Sequence, residues 1–330
     1  MPRTSVSAIL KCYSPDGAQG WALNGVANIS EQSVLVIRTG ALGDTILTLP
    51  VLASIQAAHP GVTVTFLGNR AYRDLIPEGI GFRPVDGIEW SWLFGPHAAG
   101  APESAKAFTK AYVILNKADD VIRNLVRTGT RSVASSSSAP GQVKHIVEHI
   151  HESLGLPTAA KRPVFRRIGG QSILRPIIWL HPGSGGLKKC VPLAGISRIA
   201  LELQSKTGFH LVITAGEEDE FLKRSPEWGN LLSAAGSTLL ENRPLSEIMK
   251  VLRHAAVFIG NDSGISHMAA NMGVKSVVFF VASDPAQWSP WVPERDMRII
   301  DLRNQDVVET GWISAGLAAA LDLLSERSMD

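Results

Sequence analysis

The chain has 330 residues, of which 45% are hydrophobic and 19% charged, and a formal net charge of +2. That length exceeds one small core and makes two domains the expectation. Two cysteines, Cys12 and Cys190, exclude a disulfide framework and a cysteine-rich metal site, no apolar run approaches the ~20 residues of a membrane span, and no signal-peptide core opens the chain, so a cytoplasmic protein is expected. Charge is unevenly spread. Residues 1–167 hold 17 Lys+Arg against 12 Asp+Glu and residues 168–330 hold 15 against 18. The excess gathers between Lys106 and Arg167, through Lys110, Lys117, Arg123, Arg127, Arg131 and Lys144. A basic first half suits an anionic partner or membrane surface, but lysines scattered over solvated helix faces are the plainer reading.

Residues 1–32 show no period and read as an appendage. From there the chain alternates. VLVIR, from Val34, is a β-branched run of buried-strand type. It runs into the turn TGALGD, and ILTLPVLASIQAAH then reads as a helix stopped by Pro60-Gly61. VTVTFLG is a strand, AYRDLI a helix, YVILN a strand, DDVIRNLVR a helix, SVASSSS a short strand entering a serine-rich loop, and KHIVEHIHESLGL an amphipathic helix. After the linker AAKRPVFRRIGGQSILRP the alternation restarts. IIWLHPGSG is a strand and glycine turn, GISRIALELQSKTG a helix, HLVITAG a strand, and EEDEFLKR a helix start with acids suited to its dipole. LSEIMKVLRHA, SGISHMAANMG and TGWISAGLAAALDLL are helices, and VFIGND and VKSVVFFV are strands. Two blocks of strand–helix alternation predict two doubly wound α/β domains, over 33–170 and 171–330. Each opens with a strand entering a glycine turn, and the cleft between two such domains is the expected site.

The turn after the first strand raises a question, because glycine turns between strand and helix usually cradle phosphate. Here Gly40, Gly43 and Thr45 surround a carboxylate, Asp44, which a helix cap, a ribose ligand or a catalytic base would each explain. HPGSGGLKK, with Ser184, Gly185, Lys188 and Lys189, combines a glycine turn with two cations and suits a phosphate. It is neither a Walker A loop nor a GxGxxG fingerprint. In GNDSGISHMAA, Asp262 or Ser263 is placed to cap a helix, or the same N–H groups hold a diphosphate lined by Ser263, Gly264 and His267. His145, Glu148 and His149 spell the H-x-x-E-H pattern, but nothing nominates a third metal ligand and a surface helix is expected. EEDE, from Glu217, reads as a charged first turn in which one acid reaches a ribose. No Asp-x-Asp occurs, so no metal-held nucleotide diphosphate is expected.

Three stretches together, IRTGALGDTILTLPVLASIQAAHP, WLHPGSGGLKKCVPL and VFIGNDSGISHMAANMGVKSVVFF with SDPAQW beyond it, resemble the family 9 glycosyltransferases, the ADP-heptose:lipopolysaccharide heptosyltransferases. Their order and spacing agree from about Val34 to Trp288. The resemblance implies a GT-B fold of two Rossmann-like domains facing each other across a cleft, with the acceptor on the first and the nucleotide sugar on the second. It implies Asp44 as general base and Lys189, before Cys190-Val191-Pro192, as the donor-phosphate lysine. Asp262 and Gly264 then bind donor sugar and phosphates beside Ser263 and His267, with Glu217 or Glu218 on the ribose. Relatives usually carry a tryptophan where this chain has Val191, and commonly read F-G-P-T-D-P where it has FVASDP, residues 280–285. The implied activity is an inverting, metal-independent transfer of a sugar, heptose from ADP-heptose, to a lipopolysaccharide core or related glycan. No cofactor beyond the donor and no nucleic-acid partner is expected; the acceptor is an anionic glycolipid or glycan, with peripheral contact at the inner membrane. A sugar-nucleotide epimerase or hydrolase of the same architecture and a non-catalytic homologue are the competing readings. Protein-directed relatives hold iron on cysteines, which two distant cysteines do not suit.

Overall fold

The computed structural model describes residues 33–95, 101, 108–139, 141, 144–165, 176–234, 236–305, 307 and 310–326. The appendage expected over 1–32, with Cys12, lies outside the described residues. So does the expected border at 170/171; the chain divides into two compact units between Ala160 and Lys161.

The first unit is built on five parallel strands, β1 (Ser33–Ile37), β2 (Thr63–Gly68), β3 (Ile80–Pro84), β4 (Lys110–Ile114) and β5 (Ser132–Ser136), in the order β3–β2–β1–β4–β5. Val34 to Ile37 are fully buried because β1 lies between β2 and β4 with both faces covered. Helix α1 (Leu42–Ala58) follows β1 and keeps Pro50 within it, a residue that normally breaks a helix interior. Helices α2 (Asp119–Arg127) and α3 (Ile146–Ser153) are the other long helices of this unit, besides the single turn Ser91–Phe94, and α3 packs on α1. AYRDLI, expected as an α-helix, forms the 3-10 turn Arg70–Leu75.

The second unit has six parallel strands, β6 (Ile177–His181), β7 (His210–Ala215), β8 (Ser237–Glu241), β9 (Ala255–Asn261), β10 (Ser276–Phe280) and β11 (Met297–Asp301), in the order β11–β10–β9–β6–β7–β8. Its long helices are α4 (Leu193–Thr207), α5 (Pro226–Ser233), α6 (Leu245–Leu252), α7 (Gly264–Asn271) and α8 (Gly311–Ser325), besides the single turn Pro285–Trp288. Helix α4 ends in left-handed Gly208, whose N–H reaches the Gln204 carbonyl at 2.8 Å. Trp312 of α8 packs edge-on against Phe279 of β10 within the main core. EEDEFLKR, expected to open a regular helix, is the 3-10 turn Glu217–Arg224 leading into α5. Among the described residues no helix is long and apolar enough to cross a membrane.

Counted from its own first strand, each sheet runs 3-2-1-4-5, with a sixth strand in the second unit. Ligands of such sheets bind beyond the carboxyl ends of the strands where the order reverses. Those points lie between β1 and β4 in one unit and between β6 and β9 in the other.

Candidate active site

In the first unit the reversal point is occupied by a buried cation. Arg38 directly follows β1 and is 3% exposed. Its Nη1 donates to the Ile114 carbonyl at the end of β4 at 3.2 Å, and its Nη2 lies 2.8 Å from Asp44 Oδ1. Burial pushes the guanidinium down from its ordinary value, and the charge and hydrogen bond of Asp44 pull it back up. Asp44 is the third residue of α1, not part of the turn before it; its Oδ2 accepts the Ala41 N–H at 3.0 Å. Capping and ion pairing thus coexist, and the carboxylate side chain remains 32% exposed. A methyl group on Gly40 would lie 2.5 Å from the Asp44 Cβ, so only glycine lets the turn close over this acid. Gly43 shares the first helical turn, and Thr45 is buried with its hydroxyl unpartnered among the described residues. Tyr72, on the turn after β2, takes a hydrogen bond from the Leu42 N–H beside Asp44. Burial pushes its phenol up, the Leu42 N–H opposes this, and the Asp44 charge adds to it.

In the second unit Asn261, the last residue of β9, is wholly buried and ties the glycine turn at both ends. Its Oδ1 accepts the Val191 N–H at 3.0 Å and its Nδ2 donates to the Pro182 carbonyl at 2.7 Å. Ser184 Oγ adds a third tie, donating to the Asp262 carbonyl at 2.6 Å. These bonds hold HPGSGGLKK against the start of α7.

Around Asp262 the expected residues converge. Lys189 Nζ stands 3.2 Å from its Oδ2, Ser283 Oγ donates to the same oxygen, and His267 Nε2 lies 3.7 Å from Oδ1. Ser263 caps α7 in a reciprocal box with Ser266, at 3.3 and 3.1 Å, so its hydroxyl is a cap. That box engages the Ser263 and Ser266 N–H groups, and helix geometry leaves those of Gly264 and Ile265 without an intrahelical acceptor. Burial would raise the Asp262 carboxyl, but His267, Ser283 and Lys189 outweigh it and hold it at about 2. A lowered value means that the ionised form favours folding. This contribution is full above the ordinary 3.8 and is lost as pH falls toward about 2. It amounts to something on the order of 2 kcal/mol. Urea unfolding between pH 2 and 5 should show the loss in the wild type and not in Asp262→Asn; identical curves would contradict it.

Lys188 and Gly185 are exposed on the turn. Glu217 and Glu218 are also exposed, on the 3-10 turn after β7. The buried acid of that cluster is Asp219, whose Oδ2 accepts the Gly216 N–H at 2.8 Å. A methyl group on Gly183 would come within 1.9 Å of Asp219 Oδ1, so this acid fills the space beneath the glycine turn. His181, pushed down by burial against the pull of Asp219 and the Thr214 carbonyl, lies 3.9 Å from it. Cys190 is pushed up to about 12 by burial and by Asp219, which makes it an inert thiol. Sequence reading missed Arg38, Tyr72, Asn261, Asp219 and Ser283. Only Asp219 had a legible signal, its three-residue spacing from Gly216 in a capping pattern.

The H-x-x-E-H motif has another use. His145 Nδ1 accepts the Val147 N–H at 3.2 Å as the cap of α3. As an amphipathic helix should, it buries one face, Ile146, Val147, Ile150 and Leu154, and with it His151, which bonds the Val147 carbonyl and Ser54. Among the described residues no three His, Cys, Asp or Glu side chains gather as a metal site. Of the basic cluster, Arg123 pairs with Asp120, Lys144 with Glu152, and Lys110 lies over Tyr112. Lys117, Arg127 and Arg131 are exposed, and Lys106 lies outside the described residues.

Comparison with known proteins gives the family and the fold. The model of glycosyltransferase family 9 (heptosyltransferase) matches residues 136–310. Lipopolysaccharide heptosyltransferase 3 of Escherichia coli is 23% identical over 339 residues, covering 87% of this chain and 97% of that protein. The solved structure of Escherichia coli ADP-heptose lipopolysaccharide heptosyltransferase II superposes with a TM-score of 0.70 at 17% identity, over 90% of this chain and 99% of the other. A family 9 glycosyl transferase from Veillonella parvula gives 0.70 at 15% identity, over 92% and 100%. The fold is therefore that of the GT-B heptosyltransferases.

Proposed function

Because the chain belongs to glycosyltransferase family 9, we propose that this glycosyltransferase inverts its substrate without a metal, moving heptose from ADP-heptose to a lipopolysaccharide core or related anionic glycan. The observation that carries the reading is the use of one repeated scaffold position for two unlike groups. The first unit places a half-accessible acid, Asp44, at its reversal point, and the second places Lys189 beside the start of α7. The donor sugar and the acceptor class rest on the relatives whose names carry them.

An acceptor hydroxyl oxygen attacks the anomeric carbon opposite the diphosphate. The new C–O bond forms as the bond to the diphosphate oxygen breaks, and that electron pair leaves with the nucleoside diphosphate. The hydroxyl proton passes to Asp44, already oriented by Arg38 and the Ala41 N–H. Negative charge growing on the leaving group meets Lys189 and the N–H groups of Gly264 and Ile265, with Gly185 and Lys188 exposed on the same turn. Of the acids after β7, Glu217 and Glu218 are the ones exposed for a ribose. Exposed Lys117, Arg127 and Arg131 suit an anionic acceptor or the membrane surface that displays it.

The direct test is incubation with ADP-heptose and a truncated lipopolysaccharide core in excess chelator, reading the product's anomeric configuration by NMR. Inversion with full chelator resistance is expected; retention, or activity restored only by a divalent cation, refutes the mechanism. Lys189→Ala should weaken nucleoside diphosphate binding roughly tenfold, as fits one charge-assisted hydrogen bond at a half-exposed site. Calorimetry showing an unchanged constant would remove Lys189 from the donor site.

A further inference from the structure

We propose that Asp262 parks Lys189 away from the donor, so that the diphosphate must take the lysine from this carboxylate, and that the competition weakens the hold on the released nucleoside diphosphate. The inference rests on the reading that this face of the second unit holds a nucleotide sugar.

The two partners of the pair differ in freedom. Asp262 is buried, with a side chain 7% exposed, and is fixed from three sides by Ser283, by His267 and through its own N–H on the Phe279 carbonyl at 2.9 Å. Lys189 is 44% exposed and reaches Asp262 with the end of a flexible four-carbon stem. The acid is the fixed partner and the ammonium the movable one. Asp262 also directly precedes Ser263, the cap of α7. A diphosphate at the first turn of that helix therefore lies beside a buried negative charge.

Two consequences follow from charge alone. Binding a diphosphate trades one Lys189 ion pair for another, so less of its attraction appears as affinity than a free lysine would give. The trade also improves as reaction proceeds, because the diphosphate gains charge when the bond to the anomeric carbon breaks. Lys189 then follows the charge, favouring the transition state over the bound donor. The role implied for Asp262 by family resemblance was to bind the donor directly. The protein groups already facing its oxygens point instead to control through the lysine. A carboxylate offers about four acceptor positions, and Lys189, Ser283 and His267 face three of them.

Calorimetry of the full-length protein with inorganic pyrophosphate and with ADP tests this. Asp262→Asn should bind pyrophosphate about two- to fivefold tighter than wild type, the range expected for releasing a half-exposed ion pair. The gain should shrink in an Asp262→Asn, Lys189→Ala double variant relative to Lys189→Ala. Equal or weaker binding by a folded Asp262→Asn overturns the inference, and so does an equal gain in both backgrounds, which would mean simple repulsion. Should Asp262→Asn fail to fold, Ser283→Ala keeps the charge but removes a competing donor, tightening the lysine's hold. Pyrophosphate should then bind more weakly, and tighter or unchanged binding overturns the proposal. Pyrophosphate carries neither base nor sugar, so failure of ADP to bind the wild type would strike the donor assignment while the pyrophosphate result still judges the parking.

Discussion

Asp44→Asn is expected to lower the rate of glycosyl transfer by about 10²–10⁴-fold, the usual contribution of a positioned general base, while leaving nucleoside diphosphate affinity nearly unchanged. Asparagine keeps an oxygen that accepts the Ala41 N–H, so the first turn of α1 retains its cap. What is lost is the proton acceptor and the negative charge facing Arg38. Arg38 is 3% exposed and cannot be rehydrated in place, so the variant should also melt at a lower temperature. Rates are therefore to be compared well below both melting points. Transfer at the wild-type rate would end the assignment of Asp44 as base. A loss of nucleotide affinity matching the loss of rate would show damage beyond the acid.

Asn261→Ala should be the most destabilising single change near the donor loops, by roughly 2–5 kcal/mol. It strands the buried Val191 N–H and Pro182 carbonyl, each costing about 1–3 kcal/mol when left unpaired. Asn261 is wholly buried, and both partners flank the turn that carries Ser184 and Lys189. Nucleoside diphosphate affinity should fall along with stability, because the same two bonds position the turn. Equilibrium urea unfolding reads the first effect and calorimetry the second. A stability loss below about 1 kcal/mol would mean that the turn holds its shape by other contacts.

The strands and helices read from sequence were those with long apolar runs or clear stops. β1, β6, β9 and β10 lie inside their sheets and are almost wholly buried, so each carries an apolar run of at least four residues with a polar residue only at an end. β3, β8 and β11 escaped notice, and all three are edge strands. IGFRP contains a glycine and a proline, STLLE alternates buried with partly exposed positions, and MRIID buries only Met297. An edge is not required to be apolar on both faces, and its signal dilutes accordingly. The two turns taken for α-helices, at Arg70 and Glu217, have helical composition and 3-10 geometry, a distinction that local sequence does not carry.

For the site, the residues legible in sequence were those whose chemistry announces itself beside glycines: Asp44, Lys189, Asp262 and His267. The supporting residues were not. Arg38 reads as the polar end of a strand, and only the pairing of β1 with β4 shows its reach to Ile114. Ser283 is 21 residues from Asp262, and the two meet only because β10 lies beside β9. Asn261 looks like the end of an apolar run until its two backbone partners, 70 and 79 residues away, are known.

The repeated strand order has a consequence for how such a protein can change. In the proposed mechanism the residues that would accept the proton all belong to the first unit, and those that would contact the leaving group all belong to the second. Each half carries its own interior and its own anchoring bonds, so one can drift in loop length and surface charge without disturbing the other's chemistry. The family model spans residues 136–310, which takes in Lys189 and Asp262 and leaves out Asp44. Changes of loop length at one reversal point would therefore leave the strand register and buried anchors of the other untouched.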